Sequence, residues 1–131
     1  MMKMSGSYLL DTNIIIAFYD KDPKVLKKIA EGKIYIPSIV IGELWFGAEK
    51  SRKKSSNQKQ IEALVDQVTI LPVTEETSKH YGIIKNQLKQ KGKPIPENDI
   101  WIAAVAREYD VMLVTRDQHF SNIDQIKTEA W

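Results

Sequence analysis

The stretch YLLDTNIII, residues 8–16, places a single carboxylate, Asp11, between two apolar runs. An ionised carboxylate in apolar surroundings costs several kcal/mol unless a cation or several hydrogen-bond donors compensate for it. The apolar run before Asp11 predicts a short buried strand, and the run Asn13–Tyr19 predicts a helix that follows directly. We therefore expect Asp11 at the C-terminal end of a strand, beside a positive partner.

Segments of strand character alternate with helical periodicity along the rest of the chain. Further strands are predicted at residues 33–37, 69–73 and 111–114, and within 126–131. Further helices are predicted from Asp22-Pro23 to Gly32, after Ser38 as an N-cap, from about Ser56, after Thr74 as an N-cap, and from Asp99, after a loop over residues 94–98. Pro72 suggests that the third strand lies at an edge. This alternation predicts an α/β domain with a mostly parallel sheet and right-handed crossovers.

Length and composition limit the possible classes of protein. A chain of 131 residues is expected to form one domain, residues 1–131. The absence of cysteine excludes disulfides, thiolate zinc sites and cysteine nucleophiles. No secretory leader and no apolar run of membrane-spanning length is apparent, so the expected location is the cytoplasm. The net charge of +2 is too small to indicate a nucleic-acid binder by itself.

Four acidic residues stand out by their positions. Parallel sheets bind ligands beyond the carboxyl ends of their strands, which is where Asp11 and Asp117 are expected. Glu43 lies on an apolar helix face, where an unpaired carboxylate is costly. Asp99 precedes an apolar run; taken alone it could be a helix N-cap, and Asp117 could serve a turn. Each of the four is acidic where the local sequence is otherwise apolar.

Four carboxylates in one pocket repel one another, so such a cluster is stable only around cations. His80 and His119 are not at metal-ligand spacing and are expected at the surface, so ligation by oxygen favours Mg²⁺ or Mn²⁺. Magnesium held by carboxylates is a common means of hydrolysing phosphodiesters, with a 5′-phosphate and a 3′-hydroxyl as products. We therefore predict Asp11, Glu43, Asp99 and Asp117 to be both metal ligands and catalytic residues, and Arg116 to be a candidate phosphate contact.

The ordered set of motifs resembles the PIN-domain family, and especially the VapC-type toxins of bacterial and archaeal toxin–antitoxin pairs. The matching pieces are LDTN (10–13), PS (37–38), GEL (42–44) with Gly47, ND (98–99) followed by IAA (102–104), LVTRD (113–117) with HF (119–120), and EAW (129–131).

The resemblance implies a single three-layer α/β domain, with about five parallel strands flanked by helices on both sides. It also implies divalent-metal ribonuclease activity on an RNA substrate, inhibition by a cognate antitoxin, and a homodimer. It assigns the same four acids to the site and adds Asn13, Ser38 and Thr115 as supporting polar residues. Asp117 matches the least constant of the family's acids.

Two other functions remain open from the residues alone. A catalytically silent PIN-like protein would bind RNA or act as a scaffold, although an intact acidic set argues against it. A phosphoacceptor role for Asp11 would require a second acid beside it and a lysine after a late strand. Thr12, Asn13 and Arg116 do not supply these. Trp45, Phe46 and Trp101 are expected in the core or at a protein interface.

Overall fold

The computed structural model describes residues 6–131, in which one or two helices separate each strand from the next. The strands are β1 (Ser7–Leu10), β2 (Lys33–Pro37), β3 (Thr69–Leu71), β4 (Met112–Val114) and β5 (Thr128–Glu129). The helices are α1 (Thr12–Tyr19), α2 (Pro23–Glu31), α3 (Ser38–Glu49), α4 (Lys54–Gln67), α5 (Glu75–Lys91) and α6 (Glu97–Tyr109). A short 3-10 helix, Gln118–Asn122, follows β4.

The five strands form one sheet in the order β3-β2-β1-β4-β5, and every neighbouring pair is parallel. The chain moves outward from β1 to β2 and β3, then crosses to the other side of β1 for β4 and β5. Because such crossovers are right-handed, the connections on either side of this reversal cover opposite faces of the sheet. The predicted α/β domain with five parallel strands flanked by helices is confirmed, and the reversal lies between β1 and β4.

Two helix boundaries follow from local chemistry that the sequence shows. Asp22 accepts hydrogen bonds from the main-chain N–H groups of Lys24 and Val25, and Pro23 occupies the first helical position of α2. Thr74 and Thr77 form a reciprocal capping box at the start of α5. Gly92 ends that helix with a φ of 67°, a left-handed conformation that glycine adopts without a Cβ penalty.

Other boundaries differ from the prediction. Ser38 is the first residue of α3 rather than its cap, and Pro37 occupies the cap position without a side-chain hydrogen bond. Helix α6 begins at Glu97, two residues before Asp99, with Pro96 at its cap. Strand β3 ends at Leu71, because Pro72 has no N–H to continue the ladder. The predicted edge position of β3 is confirmed.

The core lies between the sheet and its helices. Leu9 and Leu113 on neighbouring central strands are fully buried, as is the run 102–105 of α6, where two alanines permit close packing against neighbouring elements. Trp45 packs partly buried against this core, whereas Phe46 is 66% exposed, so of its two expected positions, the core and a protein interface, only the interface remains. None of the helices described combines the length and apolar character needed to cross a bilayer.

Candidate active site

Asp11 follows β1 and caps α1, and only 5% of the residue is exposed. Its main-chain N–H donates to the carbonyl of Val114 at 3.0 Å, which ties the end of β1 to the end of β4. The carboxylate accepts hydrogen bonds from Thr12 N–H at 2.8 Å, Thr115 Oγ1 at 2.7 Å and Asn13 Nδ2 at 3.3 Å. Burial raises the pKa of Asp11 despite these donors, and the charge of Asp117 raises it further.

Thr115 and Asn13 connect the loop after β4 to the start of α1. Thr115 Oγ1 donates to Asp11 and accepts from the main-chain N–H of Asp117 at 3.0 Å. Asn13 Oδ1 accepts from the main-chain N–H of Arg116 at 3.1 Å, while its Nδ2 lies 3.4 Å from Thr115 Oγ1. Two residues distant in sequence therefore fix both the Asp11 carboxylate and the loop that carries Asp117.

Replacing Thr115 by valine is expected to cost roughly 1–3 kcal/mol of stability, because it removes one donor from the buried Asp11 carboxylate and leaves the Asp117 N–H without its acceptor. Urea unfolding of the two proteins measures the loss. Thr128→Val, at an exposed position on β5, is the matched control and is expected to change stability little. Equal losses of stability for both variants would show that the Thr115 contacts stabilise the fold no more than the exposed Thr128 hydroxyl does.

Glu43 extends from α3 toward the same edge. Its Oε1 accepts a hydrogen bond from Thr12 Oγ1 at 3.1 Å. Burial raises the pKa of Glu43, the Thr12 hydrogen bond lowers it, and the negative charge of Asp11 raises it further. Thr12 therefore contacts Asp11 through its main-chain N–H and Glu43 through its hydroxyl. Thr12 belongs to the LDTN motif, but the motif alone does not predict that Thr12 bridges Asp11 and Glu43. That role depends on how α3 packs against α1.

Asp99 lies in the first turn of α6, with 13% of its side chain exposed. Burial is the main reason why its pKa is raised to about 6, and the charges of Asp117, Asp11 and Glu43 raise it in the same direction. Because Pro96 holds the cap position, the Asp99 side chain is not used as an N-cap. The structure thus brings all four predicted acids within electrostatic range of one another.

His119 is the residue whose position sequence reasoning missed. Its Nδ1 lies 3.1 Å from Asp117 Oδ1 and 3.5 Å from Asp99 Oδ2. One ligand atom from each of these three residues lies within 4.8 Å of the others. Half of the His119 side chain is exposed, as expected, but it faces the acids. The only feature of the sequence that pointed to His119 was the HF pair, residues 119–120, among the motifs of the family resemblance.

The remaining predicted residues occupy different positions. Ser38 follows β2, at the carboxyl edge of the sheet. The Arg116 guanidinium donates to Asp22 Oδ2 and to the main-chain oxygen of Trp131, each at 2.9 Å, and the contact with Asp22 lowers the pKa of that carboxyl. A phosphate at Arg116 would compete with these contacts. His80 was expected at the surface, but its side chain is mostly buried. Its Nδ1 lies 2.6 Å from a guanidinium nitrogen of Arg107.

Comparisons with known proteins agree with this architecture. The PIN domain family model matches residues 8–126. Ribonuclease VapC2 of Haemophilus influenzae is 38% identical over 128 residues, which cover 95% of this chain and 97% of that protein. The tRNA(fMet)-specific endonuclease VapC of Shigella flexneri is 31% identical with the same coverage.

Solved structures give the same result. VapBC2 from Rickettsia felis, crystallised with a DNA fragment from its promoter, superposes with a TM-score of 0.88 and 30% identity. The match covers 95% of this chain and 98% of that chain. The protein therefore belongs to the PIN-domain family, in its branch of VapC ribonucleases.

Proposed function

We propose that this protein is a divalent-metal-dependent endoribonuclease and the toxin of a type II toxin–antitoxin pair. The observation that supports this proposal most strongly is the convergence of Asp11, Glu43, Asp99 and Asp117, which belong to four separate segments of the chain. Asp11 and the loop with Asp117 follow β1 and β4, between which the strand order reverses, and such a reversal is the usual ligand position in open α/β sheets. The names of the VapC relatives support RNA as the substrate.

The donor set fits a hard divalent cation. Burial and mutual repulsion raise the pKa values of Asp11, Glu43 and Asp99. Within residues 6–131, no lysine or arginine forms an ion pair with any of the four acids, and His119 Nδ1 lies close to Asp99 and Asp117. Carboxylate oxygens are the ligands that Mg²⁺ and Mn²⁺ prefer. The four acids would hold the metal, and Mg²⁺ or Mn²⁺ is therefore the proposed cofactor.

A bound divalent ion would activate a water molecule near neutral pH. The ion would also neutralise charge on the phosphate. The protein's part is to hold ligands in place. Asp11 is oriented by hydrogen bonds from Asn13, Thr12 and Thr115. Glu43 Oε1 is held by Thr12, while Oε2 accepts no hydrogen bond from the described residues. A carboxyl with a raised pKa, such as Asp99 or Glu43, is suited to accept the proton of the attacking water.

The direct test is RNA cleavage by the purified protein. Since the Shigella relative is named a tRNA(fMet)-specific endonuclease, initiator tRNA is the first substrate, followed by total RNA. We expect cleavage with Mg²⁺ or Mn²⁺ that leaves 5′-phosphate ends, stops in EDTA and returns when metal is restored. Cleavage that persists in EDTA would contradict the proposed metal dependence.

The alternative, a silent RNA-binding or scaffold protein, predicts a different result in the same assay. RNA would bind without being cut under any metal condition, and Asp11→Asn would leave its affinity unchanged. An acidic set with raised pKa values favours the nuclease, because a scaffold has no need for such costly groups.

A cognate antitoxin is the proposed partner, supported by the VapBC complexes among the structural neighbours. Copurification of the protein with the product of an adjacent gene, and loss of RNA cleavage in that complex, test this part of the proposal. The homodimer, the cytoplasmic location and the phosphate contact of Arg116 stay predictions.

A further inference from the structure

A cavity of about 280 Å³ adjoins the acidic cluster, between α1, α3 and α4. Thr12 and Glu43, which are hydrogen-bonded to each other in the site, also line this cavity. Its volume is near the lower end of the range for small-molecule sites in proteins. Any group bound there would therefore lie directly beside the proposed position of the reacting phosphate.

The lining combines apolar surface with polar groups that have hydrogen-bonding capacity to spare. Ile16 is half exposed and forms an apolar wall of the cavity. The space beside Gly47, another lining residue, is open. Tyr19 also lines the cavity, although its hydroxyl oxygen is itself buried and so lies out of reach of a bound ligand. Gln60 and Asn57 complete the polar part, and Asn57 uses only its Nδ2, which donates to Ser51.

The charge of the lining disfavours a phosphate. Asp20 and Glu43 are the charged residues among those that line the cavity, and neither lysine nor arginine occurs in that set. A phosphate would be repelled by two carboxylates. An uncharged, flat ring with donors and acceptors on its edge matches amide side chains and apolar walls.

We infer that this cavity binds one unstacked base of the RNA strand, next to the phosphodiester that is cut, through Asn57 and Gln60. The inference rests on the proposed function and adds a source of sequence preference to it. Proteins that read single-stranded RNA turn bases out of the stack and bind their edges in pockets. Here the pocket shares Thr12 and Glu43 with the proposed catalytic cluster, so a bound base would lie next to the reacting phosphate.

The first test uses nucleosides, which bear no phosphate and require no metal. Adenosine, cytidine, guanosine and uridine are titrated separately into the ¹⁵N-labelled full chain, and amide signals are followed by NMR. We expect at least one nucleoside to shift the signals of Gly47 and of the side-chain amides of Asn57 and Gln60 in a saturable way. Absence of such shifts with all four would overturn the inference, whatever the outcome of the cleavage assay.

The second test fills the cavity. A Cβ at Gly47 meets no atom within 4 Å, so Gly47→Leu is expected to fold and to occupy the space. It should abolish the nucleoside shifts and raise the KM for RNA roughly tenfold or more, with kcat little changed. Gly82→Leu, at an exposed position of α5 with equally open space, is the matched control and should behave as wild type. Gln60→Ala, at an exposed position, is the second variant if Gly47→Leu fails to fold.

Two results of this comparison would contradict the inference. An unchanged KM in Gly47→Leu would show that RNA does not use the cavity. If the same variant instead weakened only the complex with the antitoxin, the cavity would bind a side chain of a partner protein and not a base.

Discussion

Asp99→Asn is expected to reduce metal-dependent RNA cleavage by roughly a hundredfold or more, which corresponds to about 2.7 kcal/mol of lost transition-state stabilisation. The same change should make the metal-free protein more stable. The pKa of Asp99 is raised to about 6 by burial and by the charges of Asp117, Asp11 and Glu43. At pH 7 the folded protein therefore carries an unfavourable ionised group that asparagine does not have.

Asp99→Asn is expected to raise the free energy of unfolding by roughly 1–2 kcal/mol at pH 7. This gain is smaller than the full pKa shift implies, because solvent screens the charges and because the variant loses the contact with His119. Urea unfolding in EDTA measures it. Asp124→Asn is the matched control, since Asp124 is an exposed acid paired with Lys91. That variant should lose up to about 1 kcal/mol and retain activity. A loss of stability in Asp99→Asn would show that Asp99 serves the fold rather than a metal.

Saturating Mg²⁺ is expected to stabilise the wild-type protein at pH 7.5 and to have much less effect at pH 5. A ligand at a hundred times its Kd adds about 2.7 kcal/mol to the free energy of unfolding, which corresponds to a rise of about 5–10 °C in melting temperature. Binding requires ionised carboxylates, and protons compete for Asp11, Glu43 and Asp99, whose pKa values are all raised.

The metal-free protein should show the opposite dependence on pH in the region of these groups. An acid whose pKa is higher in the folded state binds more protons when folded than when unfolded. Its contribution to stability is therefore lost as the pH rises from about 4, the unfolded value, through about 6 for Asp99. Differential scanning calorimetry from pH 4.5 to 7.5, with EDTA or with Mg²⁺, measures both trends. Equal Mg²⁺ stabilisation at pH 5 and pH 7.5 would contradict binding by these acids.

Much of the fold was predictable because local signals and topology agreed. The apolar run before Asp11 and the run before Thr115 each indicated a buried strand, and alternation with helices indicated parallel pairing. Parallel pairing alone then places the ends of β1 and β4 at one edge. The caps at Asp22 and Thr74 were visible in the same way, because they depend only on neighbouring residues.

The parts that were missed depend on contacts between distant segments. The start of α6 was misplaced because Pro96 takes the cap position and Glu97 begins the helix, which leaves the Asp99 side chain free for the site. The approach of His119 to two acids follows from the turn of the 3-10 helix after Asp117, whose carboxylate accepts the His119 N–H. The cavity beside Tyr19 is formed by three helices, and no local pattern indicates it.

The proposed nuclease depends above all on binding of divalent metal by Asp11, Glu43, Asp99 and Asp117. Anomalous diffraction from crystals of the protein soaked in Mn²⁺ locates the ion without reference to activity. We predict a manganese peak within coordination distance of carboxylate oxygens from this cluster, Asp11 and Asp99 among them, and no such peak in Asp11→Asn crystals. Manganese bound elsewhere, with these four acids carrying no peak, would contradict the proposal.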